Sequence, residues 1–381
     1  MTGRVKVVFA SLLKPVDEPR MYDKLARSLG QTNKYDINII GFKPKNIPAD
    51  KSITFWPLFE FPRISLSRVL APFKFFRKLL QLKPDLIILT SPDFLLISCL
   101  HKILFGSQLV YDVQENYYRN IIWSHGKPSF IRKLRATLLR WKEFIADRII
   151  IQYILAERCY LTECSFITKP SLILENKARK PASLNVSELL PQQVIRILYS
   201  GTIAESYGIY DAVHLVDEML KVYPKLELLV CGHCPSGEVF STLYTMAQSR
   251  PWLVLQISST PIPHQEILHQ LSKAHFTLIS YRLNPSNEHC MPTRVWEALA
   301  WEIPMILRQE HPWLELARHY KAGFGIDFLN PDQQLLHANL FSKKYYPDPL
   351  PEHVYWESQE HAWISLIDQI VVDYNLFTKG N

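Results

Sequence analysis

Several features are scarce in this 381-residue chain, and each scarcity removes a class of protein. Cysteine occurs only six times, scattered, which is too few for a disulfide scaffold and fits a reducing compartment. The one C-x-x-C pair, Cys231 and Cys234, has no second pair near it. A structural zinc needs four ligands, so the pair reads as two thiols at the end of a strand. Long apolar runs are missing as well. The most apolar stretch, Leu86 to Gly106, is broken by Pro92, Asp93, His101 and Lys102, short of the roughly 18 apolar residues a membrane span requires. The amino-terminal apolar core is about seven residues, lacks a small-x-small cleavage site and stops at Lys14-Pro15, so it reads as a buried first strand rather than a signal segment. No G-x-G-x-x-G follows a strand and no Walker loop is present, which sets aside NAD enzymes and P-loop ATPases. Neither an internal repeat nor a low-complexity tract occurs.

What remains is a globular composition, 48% hydrophobic and 21% charged, with room for two ordinary domains. The net charge of +7 is unevenly spread. Residues 1–183 hold 30 Lys and Arg against 15 Asp and Glu, whereas residues 184–381 hold 13 against 21. A basic half and an acidic half suggest two domains facing different partners.

Apolar strand-like runs alternate with amphipathic stretches throughout, the pattern of parallel α/β architecture. In the first half, strands are expected at 5–11, 36–41, 85–90, 108–112, 146–152 and 171–175, with a helix from Pro19 to Leu29. The second half restarts with strands at 194–201, 226–232, 253–257, 276–281 and 305–307 and helices at 209–222, 264–271 and 295–300. The join falls around Lys177 to Leu190, and Pro351 to Tyr374 reads as a long final helix with Trp356, Trp363, Ile367 and Ile370. The expectation is two Rossmann-like doubly wound domains, 1–180 and 191–350, facing across a cleft, with 351–381 packing back toward the first. Ligands in such sheets bind at the carboxyl ends of the strands.

The most informative segment is Asn284 to Leu307, NPSNEHCMPTRVWEALAWEIPMIL. A strand ends in a polar loop, Pro292 precedes a helix, and that helix carries Arg294 near its start and Glu297 one turn on. Free N–H groups at a helix start favour an anion. Arg294 there suits a phosphate, and the two oxygens of Glu297 suit two ribose hydroxyls. Spacing alone leaves Glu297 equally open as a solvated helix residue.

Together with its neighbours this segment resembles the GT-B glycosyltransferases of the large retaining family four, also labelled group 1. Pro292-Thr293-Arg294-Val295-Trp296-Glu297-Ala298-Leu299-Ala300 with Ile303-Pro304-Met305-Ile306 is similar to that family's P-x-K-x-x-E-x-x-A-x-x-x-P-V-I pattern. Tyr199-Ser200-Gly201-Thr202, the strand Leu228–Gly232, His264 through Ala274, and Gly323-Phe324-Gly325 resemble other family segments in the same order. In the first half, Lys83-Pro84-Asp85-Leu86-Ile87 resembles K-P-D-I-I, and Leu109 through Glu115 resembles a strand ending in D-x-H-E, with Asp112, Gln114 and Glu115 in the motif.

The resemblance implies a nucleotide-diphosphate sugar held by the acidic half and an acceptor held by the basic half. It gives Glu297 to the ribose and Arg294 to the phosphates, with Gly201, Thr202, Gly232, Arg282, Met291 and Thr293 around the donor. The sugar-reading acid of the preceding loop falls at His289, or at the adjacent Glu288 if a one-residue bulge intervenes. Two departures stand out. Tyr207 replaces a phosphate-clamping lysine, leaving Arg294 and Arg282 to compensate, and Gln114 replaces a histidine. Relatives that keep anomeric configuration are thought to need no protein nucleophile, the leaving phosphate taking the acceptor proton while fixed dipoles stabilise it. No metal or other cofactor is implied. A catalytically silent GT-B-like binding subunit is the alternative that Tyr207 and Gln114 leave open. Arg20, opening the first helix, either contacts phosphate or acceptor or pairs with Asp17 or Asp23.

Positive charge in the first half clusters in two amphipathic stretches. Residues 64–83 combine Leu70, Phe73, Phe76 and Leu80 with Arg68, Lys74, Arg77 and Lys78. Residues 130–142 combine Leu138, Leu139 and Trp141 with Arg132, Lys133, Arg135, Arg140 and Lys142. Such helices suit an anionic membrane surface, or pack on the sheet with a solvated basic face. No nucleic-acid module appears, and no nucleic-acid partner is expected. The resulting expectation is a cytoplasmic transferase, peripheral on the inner face of a membrane, that moves a sugar to a glycan or lipid-linked acceptor in surface polysaccharide or glycolipid synthesis.

Overall fold

Short β-rich apolar segments with helices between them can bury both faces of a strand only in a parallel sheet covered on each side. The computed structural model, which describes residues 4–62, 65–123, 128–184, 194–221 and 223–379, contains two such sheets. The first has seven strands: β1 (Val5–Pro15), β2 (Tyr35–Phe42), β3 (Ile53–Phe59), β4 (Leu86–Leu89), β5 (Gln108–Val113), β6 (Gln152–Leu155) and β7 (Ser171–Ile173). Their order is β3-β2-β1-β4-β5-β6-β7, with parallel pairing throughout. The order in which strands are added therefore reverses between β1 and β4, where a doubly wound sheet opens its ligand crevice.

The connecting helices are α1 (Arg27–Gly30), preceded by a π-helical run Arg20–Ala26, then α2 (Leu66–Leu82), α3 (Leu95–Phe105), α4 (Tyr117–Trp123), α5 (Phe130–Asp147) and α6 (Tyr160–Glu163). Helices α2 and α5 begin where Ser65 and Ser129 accept from the backbone N–H groups of Arg68 and Arg132. Right-handed crossovers put α2, α3 and α5 on one face of the sheet and the Arg20–Gly30 segment on the other.

The second sheet has β8 (Ile195–Thr202), β9 (Leu226–His233), β10 (Leu253–Ser258), β11 (Phe276–Ile279), β12 (Met305–Arg308) and β13 (Gly323–Ile326), ordered β10-β9-β8-β11-β12-β13. Its helices are α7 (Ile209–Leu220), α8 (Gly237–Gln248), α9 (His264–Leu271), α10 (Thr293–Ala300), α11 (Trp313–His319) and α12 (Gln333–His337). Alternate residues of β8 serve opposite faces: Ile197 and Tyr199 join the core under α7, while Leu198 packs with Leu271 of α9. The last helix, α13 (Glu357–Lys379), buries Trp363 and Ile367.

Two compact units result, Met1–Asn176 with Ser358–Asn381, and Lys177–Glu357. In the first unit, Trp363 of α13 lies 6.5 Å from the Phe9 ring and donates its indole N–H to the Leu25 carbonyl (2.9 Å).

Several sequence expectations need correction. The apolar run at 146–152 is not a strand over its length: Ala146 and Asp147 complete α5, and β6 starts only at Gln152. The segment from Pro19 opens as a π-helix, and the final helix begins at Glu357 after a 3-10 turn at Glu352–Val354. Strands β3 and β13 and helix α8 were not anticipated. Ile64, Val222 and residues 185–190 of the expected join lie outside the described residues.

Candidate active site

In the second unit, β8 and β9 end side by side at Gly201 and Gly232, which are paired in register. Both glycines have positive φ, +89° and +156°, where a side chain is strained. A Cβ on Gly232 would lie 1.8 Å from the Gly201 carbonyl oxygen, so the two strands close here only as bare backbone. Arg294, from the first turn of α10, lies over this ledge: a Cβ on Gly201 would sit 2.9 Å from its Nε and Nη2.

Arg294 is buried, and its Nη2 donates to the Thr202 carbonyl at 2.7 Å. Three aromatic rings surround the guanidinium, with centroids at 5.0 Å (Tyr199), 5.1 Å (Tyr281) and 6.0 Å (Tyr207). Burial works against its charge, but the surrounding tyrosines more than offset this and its pKa is raised. Burial pushes the Tyr199 phenol up to about 12, the nearby arginine notwithstanding, so that ring stays neutral. The Arg294 Nη1 is buried without a hydrogen-bond partner among the described residues. A buried, charged donor with an unused N–H is an anion site in waiting.

Glu297 lies one turn further along α10 and is also buried. Its Oε1 takes a 2.6 Å bond from His264 Nε2 at the start of α9. His264 opens one of the segments that carry the resemblance, and its pairing with Glu297, 33 residues away, has no signal in the sequence. Tyr207, in the 3-10 turn before α7, packs its ring 4.9 Å from Tyr281, and its carbonyl accepts from Tyr199 (3.2 Å) and Ser280 (2.9 Å). The ring of Tyr207 thus forms part of the wall around the arginine.

Arg282 is placed differently from a free phosphate cation. It makes a two-pronged bond to Asp211 of α7, at 2.8 and 2.7 Å. Arg308, at the end of β12, shares the same carboxylate and donates to the Ser280 carbonyl at 3.1 Å. Arg308 and Asp211 had no signal in sequence, because their pairing spans 97 residues. In the loop before α10, the Glu288 N–H bonds to the Asn284 carbonyl (3.0 Å), Glu288 is half-buried and His289 is exposed. Trp313 Nε1 ties this loop down through the Cys290 carbonyl at 2.8 Å. Half-buried Met291 packs on the cluster containing Trp296 and Trp313, and Thr293 is the first residue of α10.

In the first unit, the polar side chains gather at the carboxyl ends of β1, β5 and β7. Asp112 is fully buried and takes Arg20 Nε at 3.1 and 3.0 Å and Nη2 at 2.7 Å. The remaining Arg20 nitrogen donates to the Leu174 carbonyl (2.6 Å) and Asn176 Oδ1 (2.9 Å). Arg20 therefore does not pair with Asp17 or Asp23; Asp23 instead holds Arg27 at 2.9 Å. Gln114 donates to Asp112 Oδ2 at 2.7 Å and accepts from Lys14 Nζ. Burial drives the Lys14 pKa down, but Glu18, Glu115 and Asp112 outweigh it and the net direction is up. Glu115 accepts from Asn120 at 2.8 Å. Lys14 was missed as a site residue; its position at the carboxyl end of the first strand was the available signal.

Among the described residues, no group of three or more His, Cys, Asp or Glu side chains is arranged to hold a metal ion, and no helix is long and apolar enough to cross a membrane.

No protein-family model and no curated protein matches the sequence. Solved structures do. Sucrose-phosphate synthase from Thermosynechococcus elongatus aligns over 97% of this chain and 100% of its own, at 14% identity and a TM-score of 0.71. WaaG, a glycosyltransferase involved in lipopolysaccharide biosynthesis, covers 94% and 95% at 11% identity and a TM-score of 0.60. Anabaena HepE, solved in complex with UDP and glucose, covers 97% and 100% at 12% identity and a TM-score of 0.59. At such identities the likeness establishes the fold: two Rossmann-like units, as in the GT-B glycosyltransferases.

Proposed function

We propose that this protein transfers a glycosyl group from a nucleotide-diphosphate sugar to a glycan or lipid-linked acceptor, with retention at the anomeric carbon, as a member of the retaining family-four type working in surface polysaccharide or glycolipid synthesis. The fold alone does not carry this reading, since one fold hosts many activities. The observation that carries it is Arg294, buried with an unused N–H above the side-chain-free ends of β8 and β9. Its charge suits the diphosphate of the donor, and Glu297 one turn on suits the ribose through the oxygen that His264 does not take. The rings of Tyr199, Tyr207 and Tyr281 hold the guanidinium in place, so it need not reorganise as negative charge grows on the departing diphosphate. In this reading Glu288 and His289 face the sugar, and no metal takes part. The acceptor is assigned to the first unit, whose Asp112–Gln114–Lys14 chain of bonds lies at the strand ends.

Calorimetric titration with UDP, GDP and ADP tests the donor half of the proposal, followed by transfer from the matching labelled sugar nucleotide to acceptor extracts. One nucleoside diphosphate should bind, and Glu297→Ala should weaken it at least tenfold. Unchanged affinity in that variant removes the ribose assignment, and donor binding without transfer to any extract removes the transferase.

A further inference from the structure

The helices on one face of the first sheet expose more apolar side chains than suits a protein surrounded by water. The inward stripe of α5 consists of Ala136, Glu143, Ala146 and Asp147. Its outward residues include Phe130 (81% exposed), Ile131 (69%), Leu134, Leu138 and Trp141 (68%). Helix α3 leans the same way: Leu95, Ser98, Cys99 and His101 are buried, whereas Leu96, Leu100, Ile103, Leu104 and Phe105 are exposed. Helix α2 buries Ala71, Phe75 and Leu79 but leaves Leu66, Val69, Leu70 and Phe73 outside.

These faces are continuous. Helix α3 packs against both α2 and α5, and Phe76 of α2 lies 6.4 Å from Phe105 of α3. A water-exposed apolar surface spanning three helices marks a binding face.

Charge identifies what covers it. Helices α2 and α3 contain no Asp or Glu, and the two acids of α5, Glu143 and Asp147, are turned inward and buried. Exposed Lys74, Arg77, Lys133, Arg135 and Lys142 stand among the apolar side chains. A second copy of the chain on this face would bring the same cations against themselves, because a two-fold contact pairs a patch with its own image. At the carboxyl ends of α3 and α5, a shallow open depression of about 580 Å³ is lined by Lys102, Arg148 and Lys169 with Ile103, Ile149, Ile150 and Ile151, and has no acidic residue in its wall.

We propose that α2, α3 and α5 together form an interfacial docking face for an anionic phospholipid bilayer, with the apolar side chains in the acyl boundary and the cations, including Lys102, Arg148 and Lys169 around the depression, on headgroup phosphates. Helix α3, which the sequence did not mark, is the centre of that face. Lysine and arginine flanking apolar side chains at one level is the arrangement that binds the interface without crossing it. The inference goes beyond the transferase proposal and does not depend on it.

Co-sedimentation of the full-length protein with vesicles tests it. Vesicles of equal phosphatidylglycerol and phosphatidylcholine should carry the protein down at low salt, and pure phosphatidylcholine should not. Ile103→Ser with Trp141→Ser, both at exposed positions, should lower the partition coefficient at least tenfold with the melting temperature unchanged. Lys133→Gln with Arg135→Gln should lower it at least fivefold. No sedimentation with the anionic vesicles overturns the proposal. So does sedimentation that the Ile103 and Trp141 substitutions leave intact, since charge alone would then explain it. A concentration-dependent dimer dissolved by the same substitutions, without vesicle binding, overturns it in favour of a second copy.

Discussion

Replacing Arg20 by methionine separates a structural role from a ligand-binding one. The methionine keeps most of the apolar stem but removes the bonds to Asp112, Leu174 and Asn176. Asp112, with no exposed surface, is then left charged with Gln114 as its remaining close donor. Removing one partner of a buried ion pair costs about 3–5 kcal/mol, because the other charge stays uncompensated. Against a domain stability of about 5–15 kcal/mol this is a large fraction. For a unit of this size each kcal/mol moves the midpoint by roughly 2–4 °C, so the transition of the first unit should fall by about 6–20 °C in differential scanning calorimetry. Arg20→Met combined with Asp112→Leu should recover most of the loss, since both charges are gone. A single variant that melts with the wild type but no longer binds acceptor would refute the reasoning and return Arg20 to the site.

Arg294→Met should weaken the bound nucleoside diphosphate by about 10- to 150-fold, the equivalent of one charged hydrogen bond of about 1.5–3 kcal/mol. The affinity for the corresponding nucleoside should stay constant, and titration calorimetry of both ligands measures the ratio. Glu143 predicts a pH effect. Burial raises its pKa from 4.5 to about 7, with Arg140 pulling the other way from 3.1 Å. Between those values the folded state holds a proton that the unfolded state has lost, so stability is full below the lower value and declines as pH rises toward the upper one. The effect is on the order of 3 kcal/mol at most. Glu143→Gln should flatten the dependence between pH 5 and 8 in urea denaturation series; an unchanged slope would remove Glu143 as its source.

The central strands were legible because β4, β5, β8 and β11 are buried apolar segments bounded by polar residues. Edge strand β3 was not, since Pro57 interrupts it and an edge position is where a sheet tolerates proline. Helix α8 is rich in Ser, Thr, Tyr and Val, and its start depends on Ser236 accepting from the Val239 N–H. The run at 146–152 misled because one apolar stretch serves two elements: Ala146 packs as part of α5, and the strand takes over only five residues beyond Asp147.

At the candidate site, Arg294 and Glu297 were legible because the helix that carries them is local. Their partners were not. Which carboxylate an arginine meets is decided by the fold: Arg20 finds Asp112 across 92 residues, and Arg282 finds Asp211 across 71. The exposed apolar faces of α3 and α5 were hidden for the same reason, as periodicity gives a stripe but not which way it points.

The docking of α13 on the first unit has a consequence in time. Residues 177–357 form a contiguous stretch, whereas the first unit needs pieces from both sides of it. Phe9 belongs to the first strand of this sheet in chain order, but Trp363, which lies against it, follows about 350 residues later, roughly 20–70 s at ordinary translation rates. Through that interval β1 and the Leu25 carbonyl lack the side chain that covers them, and by its end the second unit has all of its own strands. The half begun first is therefore finished last, and it is this half whose nascent core stands open to chaperones or to misassembly.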